Sequence, residues 1–135
     1  MNVVDTNVWI YLNDRRDFRK HSIADQLVAS CTNLVLPWQV GCEFISASKK
    51  LVKFGFTEDK AWSALQDMQQ SADRIALPDP ADWTAARLLQ KGEMLSFWDA
   101  ILVALCLRDD IRTLYTEDMG SPRVIRSLEL INPFA

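Results

Sequence analysis

The residues with the most chemical promise in this chain are carboxylates. Asp5 closes the apolar run Asn2-Val3-Val4, and Glu43 lies in WQVGCEFISA among Val40, Phe44 and Ala47. Asp99 follows Ser96 by three positions at the head of a long apolar stretch, and Asp118 follows the run TLYT. Each has a plain structural reading. Asp5-Thr6-Asn7 can be a turn with a helix cap. A lone helical Glu is usually solvated. Ser-x-x-Asp is a capping box, and an acid near Gly120 and Pro122 suits a turn. Together they suggest more. Four carboxylates converging on one crevice repel each other and raise one another's pKa, which a cation relieves. An all-oxygen ligand set without His or Cys favours Mg2+, with Mn2+ as a substitute, over zinc. Such a cation binds phosphate oxygens, activates water for in-line attack and stabilises the leaving oxygen.

Other chemistries are poorly served. His21 is the only histidine, which rules out two-histidine acid–base catalysis. Cys31, Cys42 and Cys106 are widely spaced and form no C-x-x-C pair, so neither a zinc site nor a disulfide framework is expected. A reducing cytoplasm is the expected home. The N-terminus lacks the features of a secretory signal. The longest apolar run, Ala100–Leu107, is far too short to span a membrane, so a mature, soluble chain with no membrane partner is expected. The formal net charge of −3 argues against a broadly basic phosphate-binding surface. A nucleic-acid enzyme of this charge needs local basic patches, a bound cation, or both.

The elements that must position these acids read as alternating strands and helices. Strands are expected at 2–5, 34–36, 74–77, 113–116 and 128–131, short and non-alternating as in a sheet covered on both faces. Helical patterns occupy 22–31, Pro37 to Phe54 with Gly55 as a stop, a segment capped by Thr57, one opened by Asp79-Pro80 and ending at Lys91-Gly92, and one from Ser96 to about Arg108. The last is apolar all round, so it is expected to be central and buried. At 135 residues, 49% of them apolar, one domain over 1–135 with a substantial core is expected. The alternation implies βαβ units and a mainly parallel sheet with helices on both faces. In such sheets sites form beyond the carboxyl ends of the strands, where Asp5 and Asp118 fall.

The ordered set VVDTNVWI, CEFISAS, LSFWDAILVA, LYTEDMG and LINPF resembles the PIN-domain nucleases, and more closely the VapC-type toxins of bacterial toxin–antitoxin pairs. The resemblance runs from residue 2 to residue 134. It implies a PIN-like three-layer α/β sandwich with a five-stranded, mainly parallel sheet. It also implies endoribonuclease activity, homodimerisation, and inhibition by a VapB-like antitoxin in a larger hetero-oligomer. Carried over residue by residue, Asp5, Glu43, Asp99 and Asp118 fall on the family's acidic quartet, as catalytic residues and metal ligands. Thr6, Asn7, Ser96 and Thr116 fall on polar positions that support the acids or orient substrate. A non-toxin PIN nuclease in RNA processing and a noncatalytic PIN-like RNA-binding scaffold share these motifs, although scaffolds typically lose acids. A phospho-accepting receiver would need adjacent acids after the first strand and a Lys after a late one. A haloacid-dehalogenase-type phosphatase would need Asp at position 7, which is Asn.

Arg15, Arg16, Arg19 and Lys20 could hold RNA phosphate outside the acidic pocket, or form a solvated loop interleaved with Asp14 and Asp17. Lys49, Lys50 and Lys53 suit a helix C-terminus, with RNA contact as the alternative. Trp98, beside Asp99, could stack an unpaired base. Trp9 and Trp38 are expected in the core. Trp62, Leu65 and Phe54-Gly55-Phe56 are expected to expose an apolar surface that meets a dimer partner or the antitoxin.

Overall fold

A computed structural model describes residues 1–135. The chain runs β1 (Asn2–Val4), α1 (Thr6–Leu12), α2 (Phe18–Ser30), β2 (Val35–Pro37) and α3 (Trp38–Ser48). A 3-10 segment, Lys49–Phe54, extends α3. There follow α4 (Glu58–Ser71), β3 (Arg74–Ala76), α5 (Ala81–Glu93), α6 (Phe97–Arg108), β4 (Thr113–Tyr115), β5 (Arg123–Ile125) and β6 (Leu128–Ile131).

β1 pairs in parallel with β4, and β4 with β6, placing Val3 opposite Leu114 and Leu114 opposite Leu130. β2 and β3 form a second parallel pair. A single parallel bridge, Asn2 to Leu34, joins the two pieces, so the strand order across the molecule is β3-β2-β1-β4-β6-β5. The five expected strands are thus the five parallel ones. The sixth, β5, runs antiparallel on the edge beside β6. It was not expected, because Arg123-Val124-Ile125 is short and follows Ser121-Pro122, a turn-like sequence.

Topology explains where a site can form. From β1 the chain winds outward through β2 to β3, then returns across the sheet to β4 on the other side of β1. Right-handed crossovers therefore carry α1–α4 over one face and α5–α6 over the other. The packing agrees: α1 meets α2 and α3, α3 meets α4, and α5 meets α6. The carboxyl ends of β1 and β4 part company at this reversal, leaving a crevice between neighbouring strands.

The local sequence accounts for the helix ends. Asp17, Thr57 and Ser96 each accept a backbone N–H three residues on, at 3.1, 3.3 and 3.3 Å. Gly55, at φ +92°, ends the 3-10 segment in a left-handed turn that an L side chain rarely adopts. α2 begins four residues earlier than the apolar spacing indicates, because Asp17 supplies the cap. Pro80 is the N-cap of α5 and not its first residue; Asp82 Oδ2 takes the Asp79 N–H instead, at 3.0 Å. Of α1 only the cap at Asp5 was legible, since its seven residues are too few to display a period. As expected, Ala100–Cys106 of α6 is buried along its whole length, within one apolar cluster that joins both sheet faces to the helices. Trp9 is in that core. Trp38 is not: it starts α3 at the surface and is about half exposed, correcting the expectation for it. No helix is long and apolar enough to cross a membrane.

Candidate functional site

Asp5 sits where β1 becomes α1. Its backbone N–H continues the sheet ladder to Tyr115 O at 2.9 Å, while its side chain caps the helix. Oδ1 accepts Thr6 N–H at 2.7 Å, and Oδ2 accepts the Thr116 hydroxyl at 2.8 Å. The plain reading of this acid, a helix cap, is what the structure shows, and capping this short helix pins the carboxylate in the crevice.

Thr116 is fully buried one residue past β4, and its N–H still bonds Ile131 O. Its Oγ1 accepts from Asn7 Nδ2 at 3.2 Å and from Asp118 N at 3.0 Å. A hydroxyl has one donor and two acceptor lone pairs. With both acceptor positions taken, its proton must point at Asp5. The second Asn7 amide hydrogen goes to Asp118 Oδ2 at 3.0 Å. One hydroxyl and one amide therefore link Asp5, on β1, to Asp118, beyond β4.

Glu43 reaches the same crevice from α3. Its Oε2 accepts the Thr6 hydroxyl at 3.1 Å, and its Oε1 accepts Gln39 Nε2 at 2.8 Å. Gln39 also donates to Trp98 O at 3.0 Å, tying α3 to the first turn of α6. Gln39 was not anticipated; its position one helical turn before Glu43 is the signal that could have found it. Asp99 occupies that first turn of α6, its N–H held by Ser96 Oγ. Thr6, Asn7, Ser96 and Thr116 thus each contact at least one of the four acids, Thr6 and Thr116 two apiece. Glu117 points elsewhere, to Lys20 Nζ at 2.9 Å and Tyr11 OH at 2.8 Å.

The electrostatics are those of an uncompensated acidic cluster. Burial pushes the Asp5 carboxyl up from 3.8 to about 6. The hydrogen bonds from Thr116 and Thr6 oppose the rise, and the charges of Glu43 and Asp99 add to it. Asp99 is also raised, first by burial and then, against the Ser96 hydroxyl, by Asp118 and Glu43. None of the chain's salt bridges involves any of the four. The acids stand apart, with no three already converging on one ion-sized point. The donor chemistry nevertheless fits a hard divalent cation: carboxylates only, none in a salt bridge, and two of them held at raised pKa by burial and by neighbouring acids.

The basic cluster lies outside the acidic crevice, where the sequence put it. Arg16 is bound to Asp14 through two nitrogens at 2.9 Å and covers the Phe54 ring at 3.7 Å. With Arg15 it lines a separate pocket beside Phe54 and Lys60, none of whose lining residues is one of the four acids. Arg19 holds Phe134 O, and Lys20 holds Glu117. Trp98 is exposed beside Asp99, as expected. Trp62 is exposed too, and with Leu65 and Ile75 it lines an apolar groove; Phe54 is exposed separately, at the pocket of Arg15 and Arg16.

Comparison with known proteins agrees with this geometry. The PIN-domain profile matches residues 3–125, which include all four acids. No curated protein sequence matches. Among solved structures, the chain is similar to Mycobacterium tuberculosis VapC20, described as a sarcin–ricin-loop-cleaving toxin, at 21% identity and TM-score 0.72 over 89% of this chain and 92% of that one. A toxin–antitoxin complex from Klebsiella pneumoniae is similar at 21% identity and TM-score 0.70, over 98% of both chains. VapBC-1 from nontypeable Haemophilus influenzae follows at 18% and 0.65, over 99% and 98%. At such identities these likenesses speak for the fold. The profile spans most of the sequence, and the acids it covers surround the crevice at the switch point of the sheet. The chain belongs to the PIN-domain family.

Proposed function

We propose that this protein is a metal-dependent endoribonuclease, and that it acts as the toxin of a type II toxin–antitoxin pair. The observation that carries the reading is the cluster of four carboxylates without a cationic partner, at the sheet's switch point, in a PIN-domain chain. Asp5, Glu43, Asp99 and Asp118 would hold Mg2+ or Mn2+. A bound cation of this kind polarises a phosphoryl oxygen and lowers the pKa of a bound water.

The chain's own residues have distinct parts. Thr116 and Asn7 fix the separation of Asp5 and Asp118. Thr6 and Gln39 do the same for Glu43, and the Ser96 cap fixes Asp99. Burial of Asp5 under Thr116 keeps one carboxylate away from bulk water. The raised pKa of Asp5 and Asp99 makes the cluster proton-binding in mild acid, so cation binding and cleavage should weaken as pH falls toward 6 and below.

The toxin reading draws on the family motifs and on solved neighbours described as toxins and toxin–antitoxin complexes. A VapB-like antitoxin and a homodimeric state follow from it. The groove formed by Trp62, Leu65, Ile45 and Ile75, about 470 Å3, suits an amphipathic segment of such a partner. Three free thiols accord with a reducing cytoplasm. A PIN nuclease of RNA processing is the alternative, separated by whether expression arrests growth.

The test is RNA cleavage by the purified protein with a chelator, then with Mg2+ or Mn2+ restored. Cleavage should stop and return. Cleavage by wild type that survives complete metal removal, or that Asp99→Asn retains in full, would overturn the reading.

A further inference from the structure

Beside the acids lies a second feature that the metal chemistry does not use. Trp38 of α3, Trp83 of α5 and Trp98 of α6 stand around an open groove of about 610 Å3, with Phe97 on its wall and Gln39 and Glu43 on its rim. The three indoles are 55%, 68% and 62% exposed. That is far more than tryptophan needs for folding, and a large cost unless something covers them. Three different helices supply them, so the arrangement is tertiary and not a local run. Trp98 is braced edge-to-face by Phe97, centroids 5.2 Å apart at 75°.

The groove is continuous with the acidic cluster. Glu43 belongs to both, Trp98 directly precedes Asp99, and the Gln39 amide joins Glu43 to the Trp98 carbonyl. No lysine or arginine lines it. Its occupant must therefore be flat and apolar on its faces, and must not be a phosphate. The rim carries the Glu43 carboxylate, an acceptor, and no cation. Such a rim favours an occupant that carries N–H donors on its edge.

We propose, resting on the ribonuclease reading above, that this groove is a base-binding subsite. It stacks an unpaired nucleobase of the RNA next to the phosphodiester at the acids, and prefers a base with an exocyclic amine, adenine above uracil. Base–indole stacking is tolerant of sequence and strong enough to place a strand. It gives this net-acidic protein a hold on RNA that does not depend on positive charge. The adjoining groove around Trp62, Leu65 and Ile75 is aliphatic and shares only Trp38 and Cys42 with this one. A protein partner suits that second groove; in the first it would bury the open side of Glu43.

The test compares short oligoadenylate and oligouridylate, titrated with Mg2+ present against protein in an Asp118→Asn background that does not consume them. Asp118 does not line the groove. Tryptophan fluorescence should be quenched, with oligoadenylate binding tighter. Trp83→Leu and Trp98→Leu should each weaken oligoadenylate binding about tenfold and narrow its margin over oligouridylate. Trp98→Phe should restore part of the loss, and Trp62→Leu should change nothing. In the cleaving protein the groove variants should raise KM more than they lower kcat. Leucine preserves apolar cover, so unchanged affinity in folded Leu variants would overturn the subsite. So would variants that shift a monomer–dimer equilibrium in sedimentation while leaving RNA affinity alone, since the groove would then be a protein interface. If the subsite alone is wrong, wild type still cleaves RNA and Asp5→Asn does not. If the ribonuclease reading is wrong, wild type with Mg2+ does not cleave RNA, whatever the groove variants do to binding.

Discussion

Replacing Asp5 by Asn should make the metal-free protein more stable at neutral pH while abolishing cleavage. Asp5 titrates near 6 in the folded chain against 3.8 as the ordinary value. At about 1.4 kcal/mol per unit, ionising it in place costs the fold about 3 kcal/mol above pH 7. Asn carries no charge, and its oxygen can still accept Thr6 N–H. Its NH2 cannot accept the Thr116 hydroxyl, whose other positions are taken by Asn7 and Asp118. That lost bond costs about 1 kcal/mol. The net gain is about 2 kcal/mol, or about 5–10 °C in Tm for a chain of this size. The sign follows from linkage. Protonated Asp5 stabilises the fold fully below pH 3.8, and that stability is lost as pH rises through 6. The variant's advantage should therefore be largest at pH 8, shrink through pH 6 and reverse near pH 4. Thermal melts followed by circular dichroism in chelator, from pH 4 to 8, measure it. Mg2+ should then raise the wild-type Tm and leave the variant nearly unmoved, because only the former binds it well. A variant less stable at pH 8, or a difference that ignores pH, would refute the electrostatic account of the pocket.

The remaining expectations concern the supports. Thr116→Val removes the hydroxyl that serves Asp5, Asn7 and Asp118; it should cost about 2 kcal/mol and most of the cleavage rate, whereas Thr116→Ser keeps both. Equal activity in the two variants would show that the hydroxyl is dispensable. Asp82 is buried and bound by Arg108 at 2.8 and 3.1 Å. Burial would raise its pKa, but the guanidinium outweighs burial and holds it below 3.8. Asp82→Ala should cost about 2 kcal/mol by urea denaturation at pH 7, and less as pH falls through the lowered pKa of Asp82, where protonation removes the pair in wild type. A Cβ on Gly41 would meet Leu65 Cδ1 at 3.2 Å, between α3 and α4. Gly41→Ala should lower Tm by a few degrees, the steric cost exceeding the gain in helix propensity; a raised Tm would show that Leu65 moves aside freely.

Much of this protein was readable from its sequence, because the signals involved are local. Apolar runs stopped by Pro37 and Pro78 mark strands, and Thr57 and Ser96 mark helix starts through the short reach of a side chain to its own backbone. The even apolarity of Ala100–Leu107 marks a buried helix. The four acids stood out through their positions at strand ends and a helix start. Local signals fail where the determinant is distant. α1 owes its seven residues to Asp5 capping and to packing on α3, and β5 to pairing with β6. Trp38 reads as core by composition, yet α3 begins at a surface that no other element covers. Only the folded chain brings Thr116, 111 residues from Asp5, to complete that carboxylate's hydrogen bonds, because the strand order reverses at β1 and sets β4 parallel beside it. The same reversal gathers four acids from distant segments around one crevice, and sets three tryptophans from three helices along its edge.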